Sequence, residues 1–436
     1  MLELWFDFSC PYAYLASRRA PHIARAAGIE LAWKPMLLGG VFRGIVPAGP
    51  ASAGPAHDRA GDGPMATLSP QKAAHNHRDM HRWADLLGAP FQMPSAHPMR
   101  TVRALRVLLG LPDSRWPAAI EAIYAAYWQR AEDITSDAVI AAALAGAGVP
   151  QADITAALAG ADDKKDELRA RTEEAIELGV FGAPAWIVRR DRPILLWGQD
   201  RMDWVSAVLA GWDPEAGPPP GGPRPLRVAG PFRSPRTLDV YIDVASPFAY
   251  LGLTQLPALA EATGVTPRIH PILLGALFRD IGQVDVPMFA MPAPKQRHVN
   301  LEMHRWARWW GVPFEMPRKF PQRTVTAQRL ILLAREHHAE VRLALALGRA
   351  MWAEQRDLED PTTLRDILQD CVLPVEWVER TQEPAVKQQL VDETAAARAA
   401  GVFGVPTWVV DGQQLFWGQD RMELVVRALG GWQSAG

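Results

Sequence analysis

The stretch FDFSCPYAYLA from Phe6 returns as IDVASPFAYLG from Ile242, and KPMLLGGVFR ending at Arg43 returns as HPILLGALFR ending at Arg279. Such a repeat constrains the fold more than composition can, because two copies of one motif order require two copies of one architecture. The series continues in register. MHRWADLLGAPFQMP from Met80 pairs with MHRWARWWGVPFEMP from Met303, and HPMRTV from His97 with FPQRTV from Phe320. GVFGAPAWIV from Gly179 pairs with GVFGVPTWVV from Gly401, and WGQDRM starts at both Trp197 and Trp417. The chain therefore reads as two homologous domains, residues 1–212 and 238–436. Residues 213–237 between them are too rich in Pro and Gly to pack a core, and read as a semi-rigid linker. The first half alone carries the insertion PAGPASAGPAHDRAGDGPMATLSP from Pro47, expected to be a mobile surface loop that covers or opens a site.

Within each half the apolar pattern alternates between strand and helix. A strand is expected over Glu3–Phe8, a helix opening at Pro11, where a proline loses no amide bond, and a second strand in IELAWKPML. From about Lys72 to Gly179 apolar residues recur every three or four positions, which predicts a block of helices. The strands AWIV and ILLW and a helix from about Arg201 follow, and the second half repeats the plan with an Asp411-Gly412 hairpin turn. A net charge of −2 with both signs interspersed argues against nucleic acid or anionic membrane as a partner, leaving small molecules or proteins. No apolar run has membrane-spanning length, and Met1 leads straight into a strand rather than a signal sequence, so a cytoplasmic location is expected. Two cysteines, Cys10 and Cys371, cannot build a disulfide framework, and no Cys/His cluster has metal spacing, so no metal is expected.

Taken together, SPFAYLG, PILLGALF, HRWA, VPFEMP and GVFGVPTWVVDGQQLFWGQDR resemble the DsbA type of thioredoxin fold. Within that type they look most like 2-hydroxychromene-2-carboxylate isomerase and kappa-class glutathione transferase. The resemblance implies an α/β chain of two tandem thioredoxin-like domains, each with a helical insertion, and a bound glutathione as cofactor. It places the glutathione thiol against the hydroxyl of Ser246. It gives the cysteinyl part to the backbone of Val405 before a cis Pro406, and of Ala183 before Pro184. The γ-glutamyl group falls to Gln419 and Asp420, and to Gln199 and Asp200. A family asparagine aligns with Gln283 in the second half and with Pro47 in the first; another aligns with Arg323 and Arg100. Relatives of this kind are commonly homodimers, so the tandem chain is expected to be a monomer whose halves form an internal pseudo-dimer.

The residues have readings of their own. A helix N-terminus favours a thiolate, so Ser246 would support glutathione's, although serine there is also an ordinary N-cap. Cys10 occupies the same slot. There the helix end is expected to lower its pKa and make it reactive, against the alternative of a small buried apolar residue. With Ala13 where a resolving cysteine would stand, Cys10 cannot run a dithiol cycle. Cys371, in a helical context, reads as structural. Asp200 and Asp420 precede helices and can equally be caps, and His81 and His304 read as packing positions. Arg100 and Arg323 are candidates for gripping a substrate carboxylate, or else solvated surface residues. The leading expectation is a glutathione-dependent isomerase or transferase acting on small aromatic or electrophilic compounds. The alternatives are a glutathione-linked thiol-disulfide oxidoreductase built on Cys10, and a tandem binding protein with one silent half.

Overall fold

The computed structural model describes residues 1–46, 68–232, 236–282 and 287–434. Pro47, the insertion through Thr67, and Gln283 lie outside the described residues.

The first strand, β1 (Leu2–Phe6), is buried along its whole length, as a strand sandwiched between helices must be. It stops two residues short of the expected end because Asp7 turns the chain. The Asp7 carboxylate accepts the Ser9 amide at 3.0 Å and its carbonyl accepts the Cys10 amide at 3.1 Å, an Asx-type turn. Helix α1 (Pro11–Ala26) starts at the proline and leads to β2 (Leu31–Pro35), which lies parallel to β1. A short α2 (Leu38–Gly44) and the helical insertion follow: α3 (Pro70–Leu86), α4 (Val102–Gly110), α5 (Trp116–Trp128), α6 (Asp137–Gly146), α7 (Gln151–Ala159) and α8 (Lys165–Glu177). The chain then re-enters the sheet as the antiparallel strands β3 (Ala185–Val188) and β4 (Ile194–Trp197), and closes with α9 (Met202–Leu209).

The second half repeats this: β5 (Leu238–Ile242), α10 (Pro247–Thr263), β6 (Pro267–Pro271), α11 (Leu274–Asp280), α12 (Ala293–Trp310), α13 (Val325–Ala334), α14 (Glu340–Trp352), α15 (Pro361–Asp370), α16 (Trp377–Arg380), α17 (Pro384–Ala399), β7 (Thr407–Val410), β8 (Gln414–Trp417) and α18 (Met422–Leu429). The sheets have matching orders, β2-β1-β3-β4 and β6-β5-β7-β8. At the β7–β8 turn Asp411 and Gly412 have φ of 53° and 66°, and Gln413 N–H donates to Val410 at 3.1 Å, the geometry a tight hairpin needs.

The Pro/Gly-rich segment after α9 lies along α12 instead of standing free. Arg224 N–H donates to the Trp309 carbonyl at 2.5 Å, Leu226 N–H to Gln255 Oε1 at 2.9 Å, and Arg308 to the Pro214 carbonyl at 2.8 Å. Proline removes amide donors and limits pairing within the segment, so some of its polar groups find partners on α12 and α10.

The two halves are also locked reciprocally. Arg82 on α3 donates to the Leu415 carbonyl of β8 at 2.6 Å, and Arg305 on α12 donates to the Leu195 carbonyl of β4 at 2.8 Å. Each sheet's outer strand β4 or β8 is thus covered by the other half's long helix, which removes an exposed edge.

Candidate functional site

In each half the site is built where β1 or β5 turns into its helix. Asp243 is buried and ties three elements together. Its carboxylate accepts the Ala245 and Leu274 amides, each at 3.0 Å, and the Thr324 hydroxyl at 2.7 Å. Asp7 does the same in the first half, with Leu38 N–H at 2.8 Å and Thr101 at 2.6 Å. Burial pushes both carboxyls up from their ordinary range, against the hydrogen bonds they accept.

Ser246 therefore sits on a fixed turn at the N-terminus of α10. Its hydroxyl oxygen caps the helix, accepting the Ala249 amide at 3.2 Å, and its hydrogen points at the Val405 carbonyl at a long 3.4 Å. Cys10 makes the equivalent contact, with Sγ donating to the Ala183 carbonyl at 3.1 Å, but provides no cap. Both carbonyls belong to cis peptide bonds, Ala183-Pro184 and Val405-Pro406. The surroundings of Cys10 oppose the expected lowering of its pKa. Burial pushes its thiol up to about 12; the Ala13 amide opposes this, while the charge of Asp7 adds to it. Desolvation outweighs the field of the helix end, and the thiol stays protonated.

The Gln-Asp pairs are tied to the same prolines. Gly198 N–H donates to the Pro184 carbonyl at 3.0 Å and Gly418 N–H to the Pro406 carbonyl at 2.9 Å. These glycines have φ of 109° and 104°, and an added Cβ would lie 2.5 Å from Oδ1 of Asp200 or Asp420, so the turn requires glycine. The side-chain amide of Gln199, 1% exposed, has neither its nitrogen nor its oxygen partnered.

The aspartates do not stand alone. Arg201 reaches across the halves to Glu302 at 2.7 Å and Asp420 at 2.8 Å, and lies 3.0 Å from Asp200. Arg421 answers from the other side, meeting Asp79 at 2.8 Å, Asp200 at 2.6 Å and Asp420 at 3.2 Å. Tyr12 donates its hydroxyl to Asp79 at 3.1 Å. Burial raises the Asp420 carboxyl, but Arg421 and Arg201 outweigh it and hold the group below its ordinary range. Burial dominates at Glu302, whose carboxyl is held above its ordinary range despite Arg201.

One turn nearer the N-terminus of each long helix, His75 packs on Phe403 and Trp417, and His298 on Phe181 and Trp197. Lys72 lies over the Trp417 ring at 4.9 Å and Lys295 over Trp197 at 6.0 Å. Burial, with Lys295 adding to it, lowers the Lys72 ammonium to about 8.

Of the substrate candidates, Arg100 and Arg323 are both exposed, three residues beyond His97 and Phe320. His81 and His304 pack edge-on against Phe91 and Phe314. The residues that sequence reasoning missed are Asp79, Glu302, Arg201 and Arg421. Their signal was present: an acid precedes each MHRWA block and an arginine follows each Gln-Asp pair.

The chain is similar to known proteins. The chain is 30% identical over 191 residues to the 2-hydroxychromene-2-carboxylate isomerase of Sphingobium xenophagum, covering 44% of this chain and 96% of that one. It is 26% identical over 210 residues to glutathione S-transferase kappa 1 of Homo sapiens, covering 45% and 92%. A solved structure of a 2-hydroxychromene-2-carboxylate isomerase aligns over 45% of this chain and 95% of its own at 23% identity, with a TM-score of 0.42. The DSBA-like thioredoxin domain matches twice, over residues 1–210 and 237–430, so the chain belongs to the DSBA-like thioredoxin family as a tandem duplication.

Proposed function

We propose that the chain is a glutathione-dependent isomerase of the 2-hydroxychromene-2-carboxylate isomerase type, or a closely related glutathione transferase. Its substrates would be small aromatic or electrophilic compounds, with the second half as the working site. The observation that carries this reading is the cross-half cluster, where, among the described residues, the carboxylates of Asp79, Asp200, Asp420 and Glu302 pair with the guanidiniums of Arg201 and Arg421 beside the buried, unpartnered amide of Gln199. An excess of buried negative charge favours a ligand ammonium, and the idle amide favours a ligand carboxylate. A γ-glutamyl group carries both. Asp420 and Gln419 would hold it in the second half, Asp200 and Gln199 in the first, with Glu302 and Asp79 contributing from across the chain.

Glutathione supplies a nucleophilic thiol when bound. The chain's part is to orient it and to favour its ionised form. The backbone of Val405 or Ala183 beside the cis-proline offers main-chain pairing. At Ser246 the hydroxyl hydrogen, weakly engaged at 3.4 Å with Val405, can turn to an incoming sulfur, and the α10 amides add a positive field. Cys10, buried and hydrogen-bonded, lends no support to a disulfide-exchange enzyme built on the first half. The reciprocal interface within one chain supports a monomer in solution, which sedimentation checks.

The decisive test pairs Ser246→Ala with Asp420→Ala. Ser246→Ala is expected to lower isomerase or transferase turnover while glutathione still binds. Asp420→Ala is expected to weaken glutathione by about 1.5–3 kcal/mol in calorimetry, the range for a charged hydrogen bond. Unchanged turnover in the first, with unchanged affinity in the second, would remove the reading.

A further inference from the structure

The halves share most of an aromatic wall beside the thiol slot and differ at one place in it. Trp352 at the end of α14 donates its indole N–H to the Val244 carbonyl at 2.8 Å, two residues before Ser246; Trp128 does the same to Phe8 at 2.8 Å, two residues before Cys10. Phe314 stacks on Trp352 at 5.9 Å, and Phe91 on Trp128 at 5.6 Å. The next ring outward is where the halves part. In the second half it is the half-buried Phe320, 5.7 Å from Trp352, which in turn meets Phe289 at 6.2 Å, and Phe289 is 58% exposed. In the first half the position belongs to His97, 5.1 Å from Trp128, and Tyr127 stands where the second half has Met351. Met99 N–H donates to the Tyr127 hydroxyl oxygen at 2.9 Å, and that hydroxyl lies 2.9 Å from His97 Nδ1. When Tyr127 donates to Nδ1, the imidazole carries its proton on Nε2 and becomes a hydrogen-bond donor.

We propose that His97 and Phe320 are the specificity-determining residues of the two sites. Phe320, continued by Phe289, selects a flat apolar ring in the second half. His97, oriented by Tyr127, selects a ring bearing a hydrogen-bond acceptor in the first. An apolar ladder rewards contact with a ring face, whereas a fixed donor discriminates by the acceptor that satisfies it. The assignment rests on the glutathione reading above, because the ring in question is the one attached to, or attacked by, the thiol.

Glutathione conjugates test it on the full chain by calorimetry: S-methylglutathione for the peptide frame, S-benzylglutathione for an apolar ring, and S-(4-nitrobenzyl)glutathione for a ring with acceptors. Phe320→His is expected to raise the nitrobenzyl-to-benzyl affinity ratio, and His97→Phe to lower it, each by about three- to tenfold. S-methylglutathione should bind all three proteins alike. Phe320→Leu and His97→Gln guard against misfolding: the first should lose benzyl affinity with the acceptor ratio unmoved, the second should keep the wild-type ratio more nearly than His97→Phe. Ratios that stay constant in both swaps while S-methylglutathione still binds overturn the assignment and leave the glutathione reading standing. Failure of S-methylglutathione to bind the wild type overturns both.

Discussion

Replacing Arg421 by methionine keeps the bulk of the side chain and removes the charge that Asp79, Asp200 and Asp420 share. Those three carboxylates have side chains only 2%, 11% and 19% exposed, so water cannot take the guanidinium's place. Breaking a buried pair by removing one partner costs about 3–5 kcal/mol, and the present case lies in that range because Arg201 still reaches Asp200 and Asp420. The pH dependence is the sharper signature. In the wild type the Asp420 carboxyl is held low, so its contribution is present above the unfolded carboxylate pKa and lost as pH falls through the folded value. In the variant, burial with less opposing cation raises the folded pKa of the Asp420 carboxyl. That penalty is absent below about pH 4, the unfolded value, and grows as pH rises. Urea unfolding at pH 5 and pH 8 should therefore show a smaller gap between wild type and Arg421→Met at pH 5. A loss below about 1 kcal/mol, or the same loss at both pH values, would refute the cluster as the link between the halves.

Val372 follows α15 with φ of 53° and is 87% exposed, while the first half has Gly148 at φ 76° in the same place. Val372→Gly should stabilise the chain by about 0.5–1 kcal/mol, because the left-handed penalty on a branched residue exceeds glycine's entropic cost; a loss of stability in urea would count against it. His270 is bonded to Glu393 at 2.8 Å and Asp239 at 2.9 Å; burial lowers its pKa, but the two carboxylates outweigh this and raise it. Its stabilisation is thus complete below about pH 6.5 and lost as pH rises through the folded value, and His270→Gln should flatten that slope in urea midpoints between pH 6 and 9. Cys10, with its thiol pushed up to about 12, should react with iodoacetamide at pH 8 at least about tenfold more slowly in the folded protein than in urea, read by peptide mapping. Equal rates would mean that the thiol is neither buried nor protonated.

The repeat made the architecture legible, because FDFSCPYAYLA and IDVASPFAYLG align only if the halves share a strand, turn and helix. The end of β1 was misplaced by the apolar Phe8, since the side chain of Asp7 diverts the backbone and no periodicity reports that. Cys10 was legible as a position but not as a chemistry. Its protonation depends on Phe8, Tyr124 and neighbours closing around it, a tertiary fact that desolvation then amplifies. The cross-half cluster was hidden for a different reason. Asp79 and Arg421 are separated by most of the chain, and each looks like an ordinary helix-face charge until the interface brings them to 2.8 Å.

The reciprocal interface has a consequence for how such a protein can change. In a symmetric pair of identical chains every substitution is made twice, so a residue that improves one catalytic centre is imposed on the other. Here Asp79 and Glu302 each pair with an arginine of the opposite half, yet each position is written once in the gene. Codon 97 can move while codon 320 stays fixed. A mutant library confined to one half would explore a new specificity while the untouched half serves, in the same molecule, as its reference.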